Sequence, residues 1–474
     1  MTATSAPRTT VAAGSRRRSA AERIAGYQRF WDEEREAMPR RQRDAIILER
    51  LQHQLRYAYE TLPFYRRHYD AHGFTPGQVR SLEEFTTKVP VVTKKDLVAD
   101  QAAHPPFGSY LGVHPRDIAR VHGSSGTMGS PTMYGVSHTD WARCGRAMAM
   151  GLWCAGFRPG DMVQVTFPFT MFFGGWGNVQ ALELLGAGCF PTGSMVPTER
   201  QIEFLHALSV DAVIATPSYL AHLAHRAEEL GNPVSGSAVG LALVGGEPGG
   251  SIPAVRARLG EHWGDLAVID GAAGSTSEMY PFLTNIGCLQ DPGGGVHLFQ
   301  DENYTEVVSR DDPNVPVSVG LPGATVATHL WRESQPMIRF WMGDEGVLDD
   351  TPCRCGRTYP KLPRGVFGRI DDMLVIRGAN VYPSAVEAAV RATPGAGAEF
   401  RIVVDRPQDL DEISVLVERG PDVPEFEAPR LQADLEERIR RAVSVRVPVQ
   451  VMAPGSQEAQ TFKARRVVDN RPRG

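Results

Sequence analysis

Three stretches of this chain carry side chains suited to a polyphosphate and its counter-ion. In Ser124-Ser125-Gly126-Thr127-Met128-Gly129-Ser130-Pro131-Thr132, two glycines three residues apart stand among hydroxyls. Such a loop can turn successive backbone N–H groups toward an anion. Gly126 and Gly129 allow close approach of the main chain, and Ser124, Ser125, Thr127 and Thr132 add donors. No Gly-Lys-Ser/Thr follows, so this is not a Walker loop; alone, it would serve equally as a polar turn. Further on, Gly274-Ser275-Thr276-Ser277-Glu278 sets a carboxylate behind a glycine and three hydroxyls. A carboxylate so placed could hold Mg²⁺ against phosphate oxygens. In Arg339-Phe340-Trp341-Met342-Gly343-Asp344 an acid follows a glycine and could accept from both hydroxyls of a ribose. Taken singly, each acid fits a solvated loop carboxylate or a helix N-cap better.

Two other clusters suggest a metal and an acid pocket. Cys353-Arg354-Cys355 places two thiols one residue apart, with Cys288 and His297 upstream in a glycine-rich turn. Neighbouring cysteines make a strained disulfide but good ligands for one tetrahedral zinc. Four protein ligands leave no open position, so the expected Zn²⁺ is structural. Phe167, Phe169, Phe172, Phe173 and Trp176 fall within ten residues. An aromatic acid would pack against such a wall, and the same run would serve equally as core at a strand–helix junction. Gly245 is a further candidate for the pocket wall.

These residues need elements to hold them. Apolar runs at 162–167, 211–215, 239–244 and 267–269 predict strands, with helices at 179–185 and 219–230 between them. Strand, turn and helix in repetition predict an α/β fold with ligand loops at the strand ends. A helix is expected over Asp44 to Tyr59, where Ile47, Leu48, Leu51, Leu55 and Ala58 recur at three- and four-residue steps, and another near Lys94 to Ala99. Beyond about residue 372 the texture becomes a small α+β unit, with strands at 401–404, 413–417 and 445–451 and a charged helix at 429–443. The expected division is a disordered arm over 1–20, a large domain over 21–370 and a small domain over 371–474. The arm carries four arginines and no acid, without the apolar core of a secretory signal.

At 474 residues and 42% hydrophobic composition the chain can bury a sizeable core. A formal charge of −5 gives no general reason to expect nucleic acid or an anionic membrane, and no apolar run approaches the ~20 residues of a spanning helix. Six sparse cysteines fit a reducing cytoplasm. A homodimer is among the assemblies the sequence allows.

With these residues in view, the chain resembles the phenylacetate–CoA ligase family of adenylate-forming enzymes, from about Phe30 to Arg471. Leu55-Arg56-Tyr57-Ala58-Tyr59-Glu60, Pro63-Phe64-Tyr65, Ala215-Thr216-Pro217-Ser218-Tyr219 and Gly246-Glu247-Pro248 are similar to family segments. The most specific match runs from Gly368-Arg369-Ile370-Asp371-Asp372 to Gly378-Ala379-Asn380-Val381-Tyr382-Pro383. The resemblance implies a large adenylate-forming domain and a mobile C-terminal domain. It also implies a two-step reaction: ATP activates a carboxylic acid, aryl or arylalkyl by expectation, as an acyl-adenylate, and coenzyme A then displaces AMP. It assigns Lys463, Glu278 and Arg369 to catalysis and Asp371 to the hinge. It also gives the nucleotide the loop at 124–132, Gly246, Glu247, Pro248, Ala273, Gly274, Thr276, Asp344 and Arg369.

Three departures stand out. Ala273 replaces the family's adenine-stacking tyrosine, Thr276 and Ser277 lengthen the approach to Glu278, and Phe462 replaces the glycine before Lys463. They leave room for another acceptor, a carrier-protein thiol or an amine, or for an unusual acid such as nitrite delivered to an aryl amine. A degenerate binder without turnover would have lost catalytic groups, whereas Lys463, Asp344 and Glu278 all stand.

Overall fold

The computed structural model describes residues 16–124, 132–193, 195–246, 249–271, 278–279, 285–366, 374–376, 379–381, 383–405, 412–443, 446–457 and 466–470. β1 (Ile118–Gly123) and β2 (Met133–Ser137), which flank the glycine- and hydroxyl-rich stretch in sequence, pair antiparallel with Gly123 opposite Met133. A parallel sheet follows, built from β3 (Met162–Val165), β4 (Gly188–Pro191), β5 (Ala212–Ala215), β6 (Leu241–Val244) and β7 (Ala267–Asp270). Their spatial order is β4-β3-β5-β6-β7. The chain therefore winds outward from β3 to β4, then crosses back past β3 and winds the other way. Ligand crevices of open α/β sheets form where the winding reverses.

The strand sequences explain why both faces are covered. In Ala-Val-Ile-Ala and Leu-Ala-Leu-Val every residue is apolar, as expected where helices bury both sides. Ile214 and Leu243 join the core beneath helices His138–Ala155 and Phe173–Leu185. Their neighbours Val213, Ala215, Ala242 and Val244 join the opposite core under helices Thr198–Ala207, Pro217–Glu229 and Pro253–Trp263. Alternation of period two thus divides one continuous apolar run between two cores.

The first expected helix is found, extended to Arg40–Thr61. It packs Ile47, Leu51, Leu55 and Ala58 against Val92, Ile338 and Phe340. Leu62-Pro63 ends it, and Pro63 opens the next helix, Pro63–Ala71. Short strands β8 (Val296–His297) and β12 (Lys361–Leu362) pair with each other, and β9 (Asn303–Val308), β10 (Pro322–His329) and β11 (Phe340–Val347) form an antiparallel sheet.

The small unit begins with the β13 (Leu374–Ile376) and β14 (Ala379–Val381) hairpin. It continues with β15 (Ala396–Asp405), β16 (Glu412–Arg419), β17 (Val449–Met452) and β18 (Val467–Asp469), in the order β17-β16-β15-β18. Helices Pro383–Arg391 and Ala428–Val443 share its core with the sheet. The boundary expected at residues 370–371 lies outside the described residues.

Within the stretch read as an arm, Arg16 to Ala20 have fixed partners. Arg17 donates to the carbonyls of Trp263 at 2.6 Å and Ser235 at 3.0 Å, and Arg18 pairs with Asp161. Ser19 then caps the helix Ala20–Ile24.

Candidate functional site

The base of the β1–β2 hairpin is closed by its own hydroxyls. Ser124 N donates to the carbonyl of Thr132 at 3.0 Å, and the two side-chain oxygens lie 2.9 Å apart. Thr132 carries this closure to the acid singled out from sequence. Tyr134 Oη lies 2.7 Å from Thr132 Oγ1 and 2.8 Å from Glu278 Oε1. Lys94 Nζ donates to Thr132 Oγ1 and to Glu278 Oε1, and lies 3.3 Å from Tyr134 Oη. The loop exit and Glu278 therefore meet at one lysine.

Burial by itself would raise the Glu278 carboxyl, but Lys94 beside it, together with hydrogen bonds from the backbone and Tyr134, outweighs burial and holds it below the ordinary range. Glu278 is accordingly a buried, ionised carboxylate, and an oxygen donor of that kind fits a hard cation such as Mg²⁺. Lys94 is fixed by local sequence. Thr93 and Asp96 form a reciprocal capping box at the start of the helix Lys94–Ala103, which makes Lys94 its first residue. Just before it, Val92 pairs with β11: Val92 N donates to Arg339 O at 3.0 Å and Trp341 N to Val92 O at 2.9 Å. Sequence reasoning missed Lys94. The capping box was its signal, but a box fixes a helix start and says nothing of what the lysine touches.

Asp344 lies buried in β11, three residues beyond Trp341. Arg339, from the same sequence segment, does structural work. Fully buried with φ +47°, it donates to Val89 O and Pro313 O, both at 2.6 Å, and pairs with Glu306 at 3.3 Å.

The aromatic run lies beyond the end of β3 and divides. Phe167 and Gly246 are neighbours, since a Cβ on Gly246 would meet Phe167 Cε1 at 3.6 Å and Thr216 Cγ2 at 3.5 Å. The ends of β3, β5 and β6 converge there, at the reversal of winding. Gly245 N donates to Ala215 O at 3.1 Å, continuing the ladder to that point. Phe169 and Trp176 pack edge to face at 5.2 Å. Phe173 is core, between His122 at 4.7 Å and Trp141 at 5.2 Å. Phe172 is the residue before the helix Phe173–Leu185. His122 went unnoticed in sequence. Its Nδ1 lies 3.1 Å from Met171 O, and burial pushes the imidazole down to about 4.

Cys288, His297, Cys353 and Cys355 come together, all buried, with one ligating atom from each within 4.8 Å of the others. Cys288 Sγ lies 3.7 Å from Cys353 Sγ, and Cys355 Sγ 3.4 Å from His297 Nε2. Three thiols and an imidazole in this proximity suit a tetrahedral cation such as Zn²⁺.

Ser125, Gly126, Thr127, Gly129, Glu247, Pro248, Ala273, Gly274, Thr276, Arg369, Asp371 and Lys463 lie outside the described residues.

The family model for the C-terminal domain of AMP-binding enzymes matches residues 378–471. A phenylacetate–coenzyme A ligase of Thermus thermophilus is 35% identical over 460 residues, covering 93% of this chain and 100% of that protein. The crystal structure of 2-hydroxyisobutyryl-CoA ligase with 2-HIB-AMP in the postadenylation state superposes with a TM-score of 0.89 at 41% identity. The same ligase with 2-HIB-AMP and CoA in the thioesterification state gives 0.71 at 42% identity. Both comparisons cover 94% of this chain and 93% of the other.

Proposed function

The chain belongs to the phenylacetate–CoA ligase family of AMP-forming acid–thiol ligases, and from that premise we propose that it activates an aryl or arylalkyl carboxylic acid with ATP and passes the acyl group to coenzyme A. In the first step a carboxylate oxygen attacks the α-phosphorus; the bond to the β-phosphate bridge breaks and pyrophosphate leaves with its electrons. In the second the sulfur of coenzyme A attacks the acyl carbon and AMP departs. The observation that carries the reading is the meeting of Lys94, Thr132, Tyr134 and Glu278, which joins the anion-binding loop to a buried carboxylate.

Each residue has a place in that chemistry. The loop at 124–132 cradles phosphates through its N–H groups. Glu278 would hold Mg²⁺, which when bound neutralises phosphate charge. Asp344 takes the ribose hydroxyls, while Gly246, Glu247, Pro248, Ala273, Gly274 and Thr276 border the nucleotide. Phe167, Phe169, Trp176 and Gly245 line the acid. Lys463 and Arg369 meet charge that develops on the α-phosphate, and Asp371 is the hinge about which the small unit turns between steps. Zn²⁺ at the Cys288 cluster is structural, and six sparse cysteines suit a reducing cytoplasm.

The relatives do not favour the other acceptors weighed from sequence, a carrier thiol or an amine, nor nitrite as the acid. A second reading of the acid, a short 2-hydroxy acid, is favoured by the likeness to 2-hydroxyisobutyryl-CoA ligase. ATP–pyrophosphate exchange without coenzyme A, over aryl, arylalkyl, short 2-hydroxy and simple aliphatic acids with nitrite as control, separates the two. Strong exchange with phenylacetate-like acids supports the first reading, and exchange confined to short acids overturns it. Lys463→Ala should lower exchange by about 10²–10³ and spare thioester formation from supplied acyl-adenylate. Equal loss of both steps would contradict the two-step assignment of Lys463.

A further inference from the structure

The two units are in contact through the helix Pro253–Trp263. From the helix Pro253–Trp263 of the large unit, Arg258 Nη2 donates to Ala396 O of the small unit at 2.9 Å. Ala396 is the first residue of β15, the strand central to the small sheet beside β16 and β18. Three residues along the same strand, Glu399 faces His222 of the helix Pro217–Glu229. Glu399 also pairs with Arg466, and Arg466 is three positions from Lys463 in sequence. Arg466 O in turn accepts from Ile402 N at 2.6 Å. β15 therefore carries both the contact with the large unit, at Ala396, and the anchors of Arg466, at Glu399 and Ile402.

Opposing effects meet at the Arg258 contact. Its guanidinium is largely withdrawn from water and lies near Arg391 of the small unit, itself paired with Glu387, while Glu261 favours the Arg258 charge. Desolvation opposes the contact and a carbonyl receives it, so a single hydrogen bond orients the units without locking them. The arrangement seen here superposes better on the postadenylation state of 2-hydroxyisobutyryl-CoA ligase than on its thioesterification state.

We propose that Arg258 is a positioning residue for adenylation: its bond to Ala396 sets the small unit against the large one for the first step and is given up for the second. This rests on the two-step reading above. The test measures the two half-reactions separately on the full chain, with wild type, Arg258→Ala and Arg258→Lys. Arg258→Ala should lower pyrophosphate exchange about tenfold, as loss of one charge-assisted bond implies, and leave thioester formation from supplied acyl-adenylate unchanged or faster. Arg258→Lys, which keeps a donor, should restore most of the exchange. Equal loss in both half-reactions, or no loss in either, overturns the proposal. Thermal unfolding of each variant separates a folding defect from a positioning one; if Arg258→Ala does not fold, a wild-type ratio of the two half-reactions in Arg258→Gln overturns it instead. Wild-type protein inactive toward every acid would instead refute the two-step reading.

Discussion

Replacing Lys94 by methionine keeps the length of the side chain, removes its charge and leaves Glu278 buried without its counter-ion. The Glu278 side chain is 5% exposed and that of Lys94 27%. Removing one partner of a fully buried pair costs about 3–5 kcal/mol. Water reaches the lysine end of this pair, so about 2 kcal/mol is expected for Lys94→Met. Glu278→Gln keeps the shape and a hydrogen-bonding oxygen near Tyr134 and frees Lys94 toward water, at about 1 kcal/mol. With the carboxylate already gone, the methionine harms nothing further, and the double variant should cost no more than Glu278→Gln alone. Equilibrium urea unfolding of the four proteins gives the coupling, expected at about 2 kcal/mol. Additive single effects, a coupling within about 0.3–0.5 kcal/mol of zero, would refute the view that Lys94 is there to neutralise Glu278. The measurement needs neither substrate nor turnover, so it is independent of the acid's identity.

Two further outcomes are expected. His122 is held neutral by burial, its value about 4 against an ordinary 6.5. Between those values the unfolded chain binds a proton that the folded chain refuses, so stability should fall as pH drops from about 6.5 to 4, by up to about 3 kcal/mol. His122→Asn should flatten that part of the stability–pH curve, and an unchanged curve would contradict it. Purified protein should contain one zinc per chain, lost together with the metal-dependent part of its thermal stability on chelation or in Cys353→Ser. At a metal concentration near a thousand times Kd that part is about 4 kcal/mol. Metal-free protein with an unchanged melting temperature would remove zinc from the description.

Four strands of the parallel sheet were legible because they are short apolar runs between glycine and proline turns, as at Leu241–Val244 before Gly245; the edge strand β4, Gly-Cys-Phe-Pro, has no such run and was not expected. The helix His138–Ala155 was not. From Ala147 to Ala155 it is buried on every side, so that half shows no polar stripe, and Gly145 and Gly151 lower its helical signal. Both glycines have packing reasons: a Cβ would come within 2.7 Å of Gln180 and Leu184 at the first and within 2.6 Å of Ile286 at the second. Strand β18 escaped notice because it is three residues long and makes sense only beside β15. The acid of the site and Thr132 were legible as motifs, while the remaining partners came from two separate places, Lys94 and, two residues past Thr132, Tyr134. Such convergence is set by folding, and local pattern does not encode it. The five aromatics were legible as a group, but only packing separates Phe173 in the core from Phe167 at the strand ends.

The order β17-β16-β15-β18 has a kinetic consequence. β17 and β18 are the two edges of the small sheet, and the chain between Met452 and Val467, with Lys463 in it, joins them. In the role proposed for it, Lys463 would be tethered on both sides, its effective concentration at a phosphate set by two anchors rather than one. Loss of β18 would turn a closed span into a free tail and dilute the charge without altering the lysine itself.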